Sequence, residues 1–290
     1  MKLLMKFNLI SIALVAIALG IVSWVAHSFL LDNARAEVLQ QAKLMMESAT
    51  STRDYTTEEL KPLIVTSPLN ESQFLPQIVP AYGAKSTFAR LRKKFPDYIY
   101  KEATLNPTNL RDRAVDWEAD IVEDFRNNPT LKEFVGQRDT ATGASLYLAH
   151  PIVVDDTCLE CHSVPSVAPK PLIEKYGTVN GFGWKVNEIV GVQIVSVPLS
   201  VPIRIADQAF RTLMWSLLAT FAAILLFLNL ALYFIIILPL RRLSAVADRV
   251  SLGQLENAEL PVHGRDEMAQ LTASFNRLIV TVTKALRMLD

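Results

Sequence analysis

Cysteine is nearly absent from this chain: there are two, Cys158 and Cys161. That is too few for a disulfide scaffold, and their close spacing points to a site instead. Charge of one sign is not in excess. Lys and Arg number 29 and Asp and Glu 29, so the formal net charge is zero, and no long like-charge run suggests a binding tail. Composition therefore gives no support to a nucleic-acid-binding surface. Charge is missing altogether from two stretches, residues 7–31 and 212–240. With 51% hydrophobic residues overall, these read as membrane segments rather than as core helices.

Each charge-free run is long enough to cross a hydrocarbon core as a helix. Lys2 and Lys6 precede the first, and Arg241 and Arg242 close the second. Lys and Arg near span ends favour the cytoplasm, so the chain is expected to go out and come back. The expected order is a cytoplasmic N-terminus (1–6), a first transmembrane helix (7–31), a periplasmic domain (32–211), a second transmembrane helix (212–238) and a cytoplasmic tail (239–290). Both termini are then expected on the cytoplasmic side of the bacterial inner membrane, although Arg35 and Arg211 on the outer side make the bias modest. The rival is a cleaved signal peptide with Ala34-Arg35-Ala36 as its cleavage site. The apolar run exceeds the ~7–15 residues of a signal-peptide core, which favours an uncleaved anchor.

The tail reads as two helices with a connector. Leu240, Leu243, Ala247 and Val250 follow helical spacing, and Met268, Leu271, Phe275, Leu278, Val282, Ala285 and Leu289 alternate steps of three and four. Such a seam wants a partner helix. Gly253 and the stretch 261–264 interrupt helix between them. With Pro239 after the span, then Asp266-Glu267 and Phe275-Asn276, the tail resembles a HAMP module, a dimeric parallel four-helix coiled coil. The resemblance implies a homodimer. No kinase, cyclase or methyl-accepting coiled coil is expected within the tail. Output is therefore expected from a separate cytoplasmic protein, such as a kinase or chemotaxis-type component.

In the outer segment, residues 32–58 carry a helical apolar face: Leu31, Ala34, Val38, Ala42, Met45, Ala49 and Thr52. Pro62, Pro68, Pro76 and Pro80 are expected to break the next stretch into short pieces. Further helices are predicted over 82–95 and 115–125. Strands are predicted over 98–103, over 145–154 with a break at Pro151, and over the Val/Ile-rich run 189–198. Asn106-Pro107-Thr108-Asn109 reads as a turn. The fold class expected is α+β, a PAS-like sheet between two transmembrane helices with a C-terminal α-helical coiled-coil HAMP module.

The chemistry concentrates in Cys158-Leu159-Glu160-Cys161-His162. C-x-x-C-H is the attachment signature of c-type haem. Two thiols at this spacing reach the two vinyl groups of one porphyrin, and the adjacent His162 is carried to the axial side of the same iron. Attachment of this kind occurs outside the inner membrane, where the topology independently puts these residues. One covalent haem c is expected, on Cys158 and Cys161, with His162 as proximal ligand. A Cys158–Cys161 disulfide and a zinc site compete; zinc would need further ligands, and of the other histidines only His150 is available to it. The sixth iron ligand stays open among His150, Met45 and Met46, with Tyr82 weaker. A five-coordinate iron, open to a diatomic gas, is the remaining alternative. Arg53, Arg111 and Lys170 are candidates to pair with the propionates, and the Gly/Pro-rich run 163–184 suits a chain wrapped around a planar cofactor.

From about Arg35 to Val201 the chain resembles the periplasmic single-haem c-type sensor domains with a PAS-like core, catalogued as a domain of unknown function and often followed by HAMP. The matching pieces include Arg53-Asp54-Tyr55-Thr56, Lys61-Pro62-Leu63, Val79-Pro80-Ala81, Asn106-Pro107-Thr108-Asn109, Trp117-Glu118, Cys158 to Ser163, Tyr176-Gly177 and Gly181-Phe182-Gly183-Trp184. The resemblance implies sensing of redox state or a diatomic ligand rather than catalysis. Some relatives use a distal cysteine thiolate as second axial ligand; with no third cysteine, that ligation does not carry over. The expected function is a non-enzymatic, membrane-bound haem transducer relaying through HAMP. The alternative is a membrane-anchored monohaem electron carrier, for which the tail has no job; a third reading is a small-molecule receptor with haem as a structural pin.

Overall fold

The computed structural model describes residues 3–141, 143–254 and 259–287. It divides into two compact units: residues 26–210, and the membrane-helix and tail segments on either side of them.

In the first unit the far half of helix α1 (Leu3–Tyr55) passes through a π turn (Thr56–Leu60) into α2 (Lys61–Val65). The expected break at Pro62 does not occur. Proline lacks an N–H and its ring crowds the preceding turn. The widened π turn just before Pro62 absorbs both problems, so the helix continues. Short α3 (Pro68–Ser72) and α4 (Pro80–Arg92) follow.

Four strands come next: β1 (Ile99–Thr104), β2 (Phe134–Thr140), β3 (Gly143–Val153) and β4 (Ile189–Pro198). They form one antiparallel sheet in the order β1-β4-β3-β2. Strand β4, central and covered on both faces, is the Val/Ile-rich run the sequence marks. Strand β3 runs through Pro151 without the expected break. Its pairing with β2 ends at Ala149, so at Pro151 it has only β4 as neighbour and no ladder bond is lost. Strand β2 has no counterpart among the predicted strands; its polar Gly136-Gln137-Arg138-Asp139 carries no clear period-2 signal.

The sheet buries a cluster on each face. On one side Val38, Ala42, Met46 and Ala49 of α1 pack with Phe88 of α4 onto Tyr100, Leu146, Leu148, Val195 and Val197. On the other, Ile121, Val122 and Phe125 of α5 (Asp116–Asn127) cover Ala103, Ala149, Val192 and Ile194. Fully burying a side chain such as Leu148 or Phe125 stabilises by ~1.5–3 kcal/mol. Two short helices, α6 (Asp156–His162) and α7 (Lys170–Tyr176), lie between β3 and β4.

In the second unit, α8 (Ser200–Ala231) and the N-terminal stretch of α1 are both long and apolar enough to cross a membrane. Asn8 and Asn229 join them through two reciprocal amide hydrogen bonds, at 2.9 and 2.7 Å. A π turn (Leu232–Ile237) leads into α9 (Leu238–Ser251), so Pro239 follows a π turn at the same offset as Pro62. Helix α10 (Glu267–Arg287) begins at Asp266, whose Oδ1 accepts from the Ala269 N–H at 2.8 Å. Val246 of α9 and Ile279 of α10 meet with Val250, Leu260 and Phe275 around them. Asn276 holds the connector by accepting from Leu260 N–H at 3.0 Å and donating to Leu260 O at 2.7 Å. Within one chain the contact face of α10 includes Ala269, Phe275 and Ile279, whereas Leu271 and Leu278 of the expected seam stay exposed. Lys2, Leu289 and the Ala285 side chain lie outside the described residues.

Candidate functional site

Helix α6 starts where Asp155 caps it. The Asp155 carboxylate accepts from the Cys158 N–H at 3.0 Å and the Thr157 hydroxyl at 2.6 Å. The Thr157 bond, with the two to Cys158 and Thr157 backbone behind it, holds this carboxyl below the usual range despite some burial. Cys158 and Cys161 stand one helical turn apart, both free and partly buried. Burial pushes both thiols up. Among the described residues, no group of three or more His, Cys, Asp or Glu is placed to hold a metal ion such as zinc. Glu160 pairs with Lys61 at 2.7 Å, tying α6 to α2. Beside this pair lies a cavity of about 130 Å³, lined by Val65, Phe74, Cys161, Pro169 and Pro171 among others.

His162 ends the helix and is held on three sides. Its Nδ1 lies 2.7 Å from the Gly181 carbonyl oxygen. The Trp184 ring stacks on it, with centroids 4.0 Å apart and planes 13° from parallel. Thr108 Oγ1 stands 3.4 Å from the same Nδ1. A carbonyl only accepts, so the assigned tautomer carries its proton on Nδ1 and leaves the Nε2 lone pair free. Burial lowers the imidazole pKa, partly offset by the Gly181 carbonyl.

That carbonyl is itself held. Asn106 Oδ1 accepts from the Gly181 N–H at 3.1 Å, and Asn106 Nδ2 donates to the Phe182 carbonyl at 3.3 Å. The Gly183 and Trp184 N–H groups donate to the Ser163 and His162 carbonyls at 2.8 and 3.2 Å. Gly181 has φ +81°, and a Cβ there would overlap Thr108. The loop thus comes within reach of His162 only because residue 181 has no side chain.

The remaining candidates are spread more widely. His150 sits on β3 opposite Gln193, which in turn is opposite Glu102 of β1. Its Nε2 is 4.0 Å from Glu133, which also pairs with Lys43 of α1 at 2.9 Å, and burial lowers the His150 pKa. Met46 is buried in the α1-side cluster, with Met45 packed against that cluster. Tyr82, Arg111 and Lys170 are exposed. Arg53 forms a 2.5 Å ion pair with Glu102, and its charge also acts on Cys158.

The sequence marks 106–109 as a turn and 181–184 as a wrapping loop. It does not reveal that Asn106, Thr108, Gly181 and Trp184 converge on His162. The one available signal is an Asn before Pro-Thr and a glycine pair spaced around an aromatic, and neither pattern names a partner 54 or 19 residues away.

Comparison with known proteins gives two family matches: Tll0287-like over residues 31–198 and HAMP domain over residues 232–283. Among solved structures, the crystal structure of the cyanobacterial heme-protein Tll0287 is similar at 17% identity and a TM-score of 0.44. The match covers 56% of this chain and 95% of that one. No curated protein matches.

Proposed function

We propose, because this chain belongs to the Tll0287-like family and carries a HAMP domain behind that region, that it is a membrane-bound signal transducer whose input is one covalently attached haem c. On this reading residues 32–211 lie in the periplasm with a PAS-like sheet, 7–31 and 212–238 span the inner membrane, and both termini are cytoplasmic. Cys158 and Cys161 would form the thioethers and His162 would be the proximal iron ligand.

The observation that carries the proposal is the state of the donor set. Two free thiols one turn apart precede an imidazole whose Nδ1 is engaged by a carbonyl and whose Nε2 is left as a lone pair. A metal-bound histidine is held in this way, with its second nitrogen donating to a carbonyl or carboxylate. The residues therefore fit the group. A bound haem would supply a one-electron couple and a position for a second ligand. His150, Met45 and Met46 are the proposed candidates for that position, and a diatomic gas is the proposed external ligand if none of them binds.

The chain's own residues supply the relay. Arg53, in the last turn of α1, bridges to Glu102 of β1. Helix α1 is continuous with the first membrane helix, and β4 runs through Leu199 into α8. A change in charge or shape at α6 thus acts on both helices that enter the membrane, and α9 and α10 form the two-state element they bias. The HAMP segment relays to a downstream cytoplasmic output and acts as a homodimer.

The test is an optical spectrum of the full-length protein, oxidised and reduced, with and without CO, beside its intact mass. A covalent porphyrin mass and a ligation change on reduction or CO binding are expected. A colourless protein from cells with a working cytochrome c maturation system overturns the proposal. Removing the tail after Pro239 separates a transducer, which loses signalling, from an electron carrier, which keeps electron transfer.

A further inference from the structure

We propose that Asn106 is a positioning residue for His162, acting through the Gly181 carbonyl, and that Asn106-Pro107-Thr108 is the outer shell of the axial histidine. The inference rests on the reading of His162 as the iron ligand and adds which residue sets that ligand's orientation and donor strength.

The carbonyl facing His162 belongs to the peptide between Gly181 and Phe182. Asn106 grips the peptide on each side of it, accepting from the Gly181 N–H at 3.1 Å and donating to the Phe182 carbonyl at 3.3 Å. One side-chain amide therefore fixes a peptide plane it does not touch. The grip matters because residue 181 is a glycine at φ +81°, the backbone type with most freedom to rotate. Released, the carbonyl would swing away from Nδ1, and the imidazole would lose the acceptor that raises its basicity. The clamp is stiff. Pro107 confines Asn106 to extended backbone and has a fixed φ of its own. Thr108 then occupies the space a Cβ at 181 would need and places its hydroxyl 3.4 Å from Nδ1. Trp184, stacked on the ring, limits tilt but supplies no acceptor. Orientation about the ring normal is left to the groups at Nδ1, where the Gly181 carbonyl at 2.7 Å is closer than the Thr108 hydroxyl at 3.4 Å, and Asn106 holds that carbonyl.

The test uses full-length protein in detergent with Asn106→Ala and Asn106→Asp. Aspartate still accepts from the Gly181 N–H but no longer donates to Phe182, so it keeps half the clamp. The midpoint potential of the haem-loaded protein is measured, and the haem content is checked by mass. A histidine that donates its second N–H to a carbonyl is the stronger ligand and favours the oxidised iron. Asn106→Ala is accordingly expected to raise the potential, and Asn106→Asp, which keeps half the clamp, to raise it less. Should both haem-loaded variants keep the parent's potential, Asn106 does not position His162. A second readout does not need haem. With four histidines in the chain, ¹⁵N-histidine NMR of a Cys158→Ala/Cys161→Ala protein reads the His162 tautomer. An Nδ1–H form that turns mixed with Asn106→Ala supports the clamp, and an unchanged tautomer overturns it. If the parent itself never carries haem, the proposed function fails while this readout still decides the clamp.

Discussion

Arg53 and Glu102 form a 2.5 Å ion pair between the end of the membrane-entering helix and the first strand of the sheet. Glu102 is nearly enclosed, with 5% of its side chain exposed, and its second oxygen accepts from the Tyr100 hydroxyl at 2.8 Å. Burial and Glu102 push the Tyr100 phenol well up, so it donates at any working pH. For Arg53, burial is the largest influence and opposes the charged form, but Glu102, Tyr100 and the hydrogen bond to Glu102 act together against it and the pKa rises. Removing one partner of a buried pair costs roughly 3–5 kcal/mol because the other charge is left behind. Glu102→Ala is expected to cost about 3 kcal/mol, Arg53 keeping some access to water. Glu102→Gln, which still accepts from Tyr100, should cost less. Denaturant unfolding of the two variants checks the order.

Between the membrane helices, Asn8 and Asn229 exchange two amide hydrogen bonds. Such pairs in membranes contribute on average about 0.6 kcal/mol and at most about 1.7. Asn8→Leu and Asn229→Leu should each weaken helix association by that order. The double variant should be little worse than either single one, since both remove the same interaction. Unfolding in mixed detergent micelles measures the cycle; additive losses would mean that the two amides do not depend on each other.

Gly181→Ala meets two obstacles, a left-handed φ and overlap with Thr108. It should cost more than ~1 kcal/mol and move the carbonyl off His162. A melting curve and the histidine NMR spectrum should change together; a change in melting alone would separate the turn from the ligand.

Asp155→Ala removes the cap of α6 and should cost about 1 kcal/mol, with Asp155→Asn close to neutral at pH 7. The Asp155 carboxyl is depressed in the folded protein. Its contribution is therefore present above the unfolded value near ~3.9 and is lost as pH falls through the lower folded value. The stability gap between parent and Asp155→Asn should shift in favour of Asn below about pH 4, read from melting temperatures across that range.

Leu271 and Leu278 are exposed to 46% and 59% within one chain, while Val246 and Ile279 are covered. If the HAMP segment is a dimer, the exposed pair meets the second copy. Leu271→Lys with Leu278→Lys should then yield monomers by analytical ultracentrifugation, with helix content unchanged.

Features that depend on neighbours along the chain were legible in the sequence. Hydropathy marked both membrane helices, Val/Ile content marked β4, and C-x-x-C-H marked α6, because each signal is carried by residues within one element. Pro62 and Pro151 point to breaks that do not occur, since a π turn and an unpaired strand end, set by the surrounding structure, accommodate them. Strand β2 was missed because polar residues there are held by pairing with β3 rather than by their own pattern.

The order of residues along the chain sets the chemistry on offer: two thiols and an imidazole at fixed spacing, between two apolar spans and ahead of a paired-helix tail. How that imidazole is used follows from the folded arrangement around it. A hydrogen bond's direction is set by atoms that approach through space. The free Nε2 of His162 therefore depends on Asn106 and Gly181, which the chain alone does not place together.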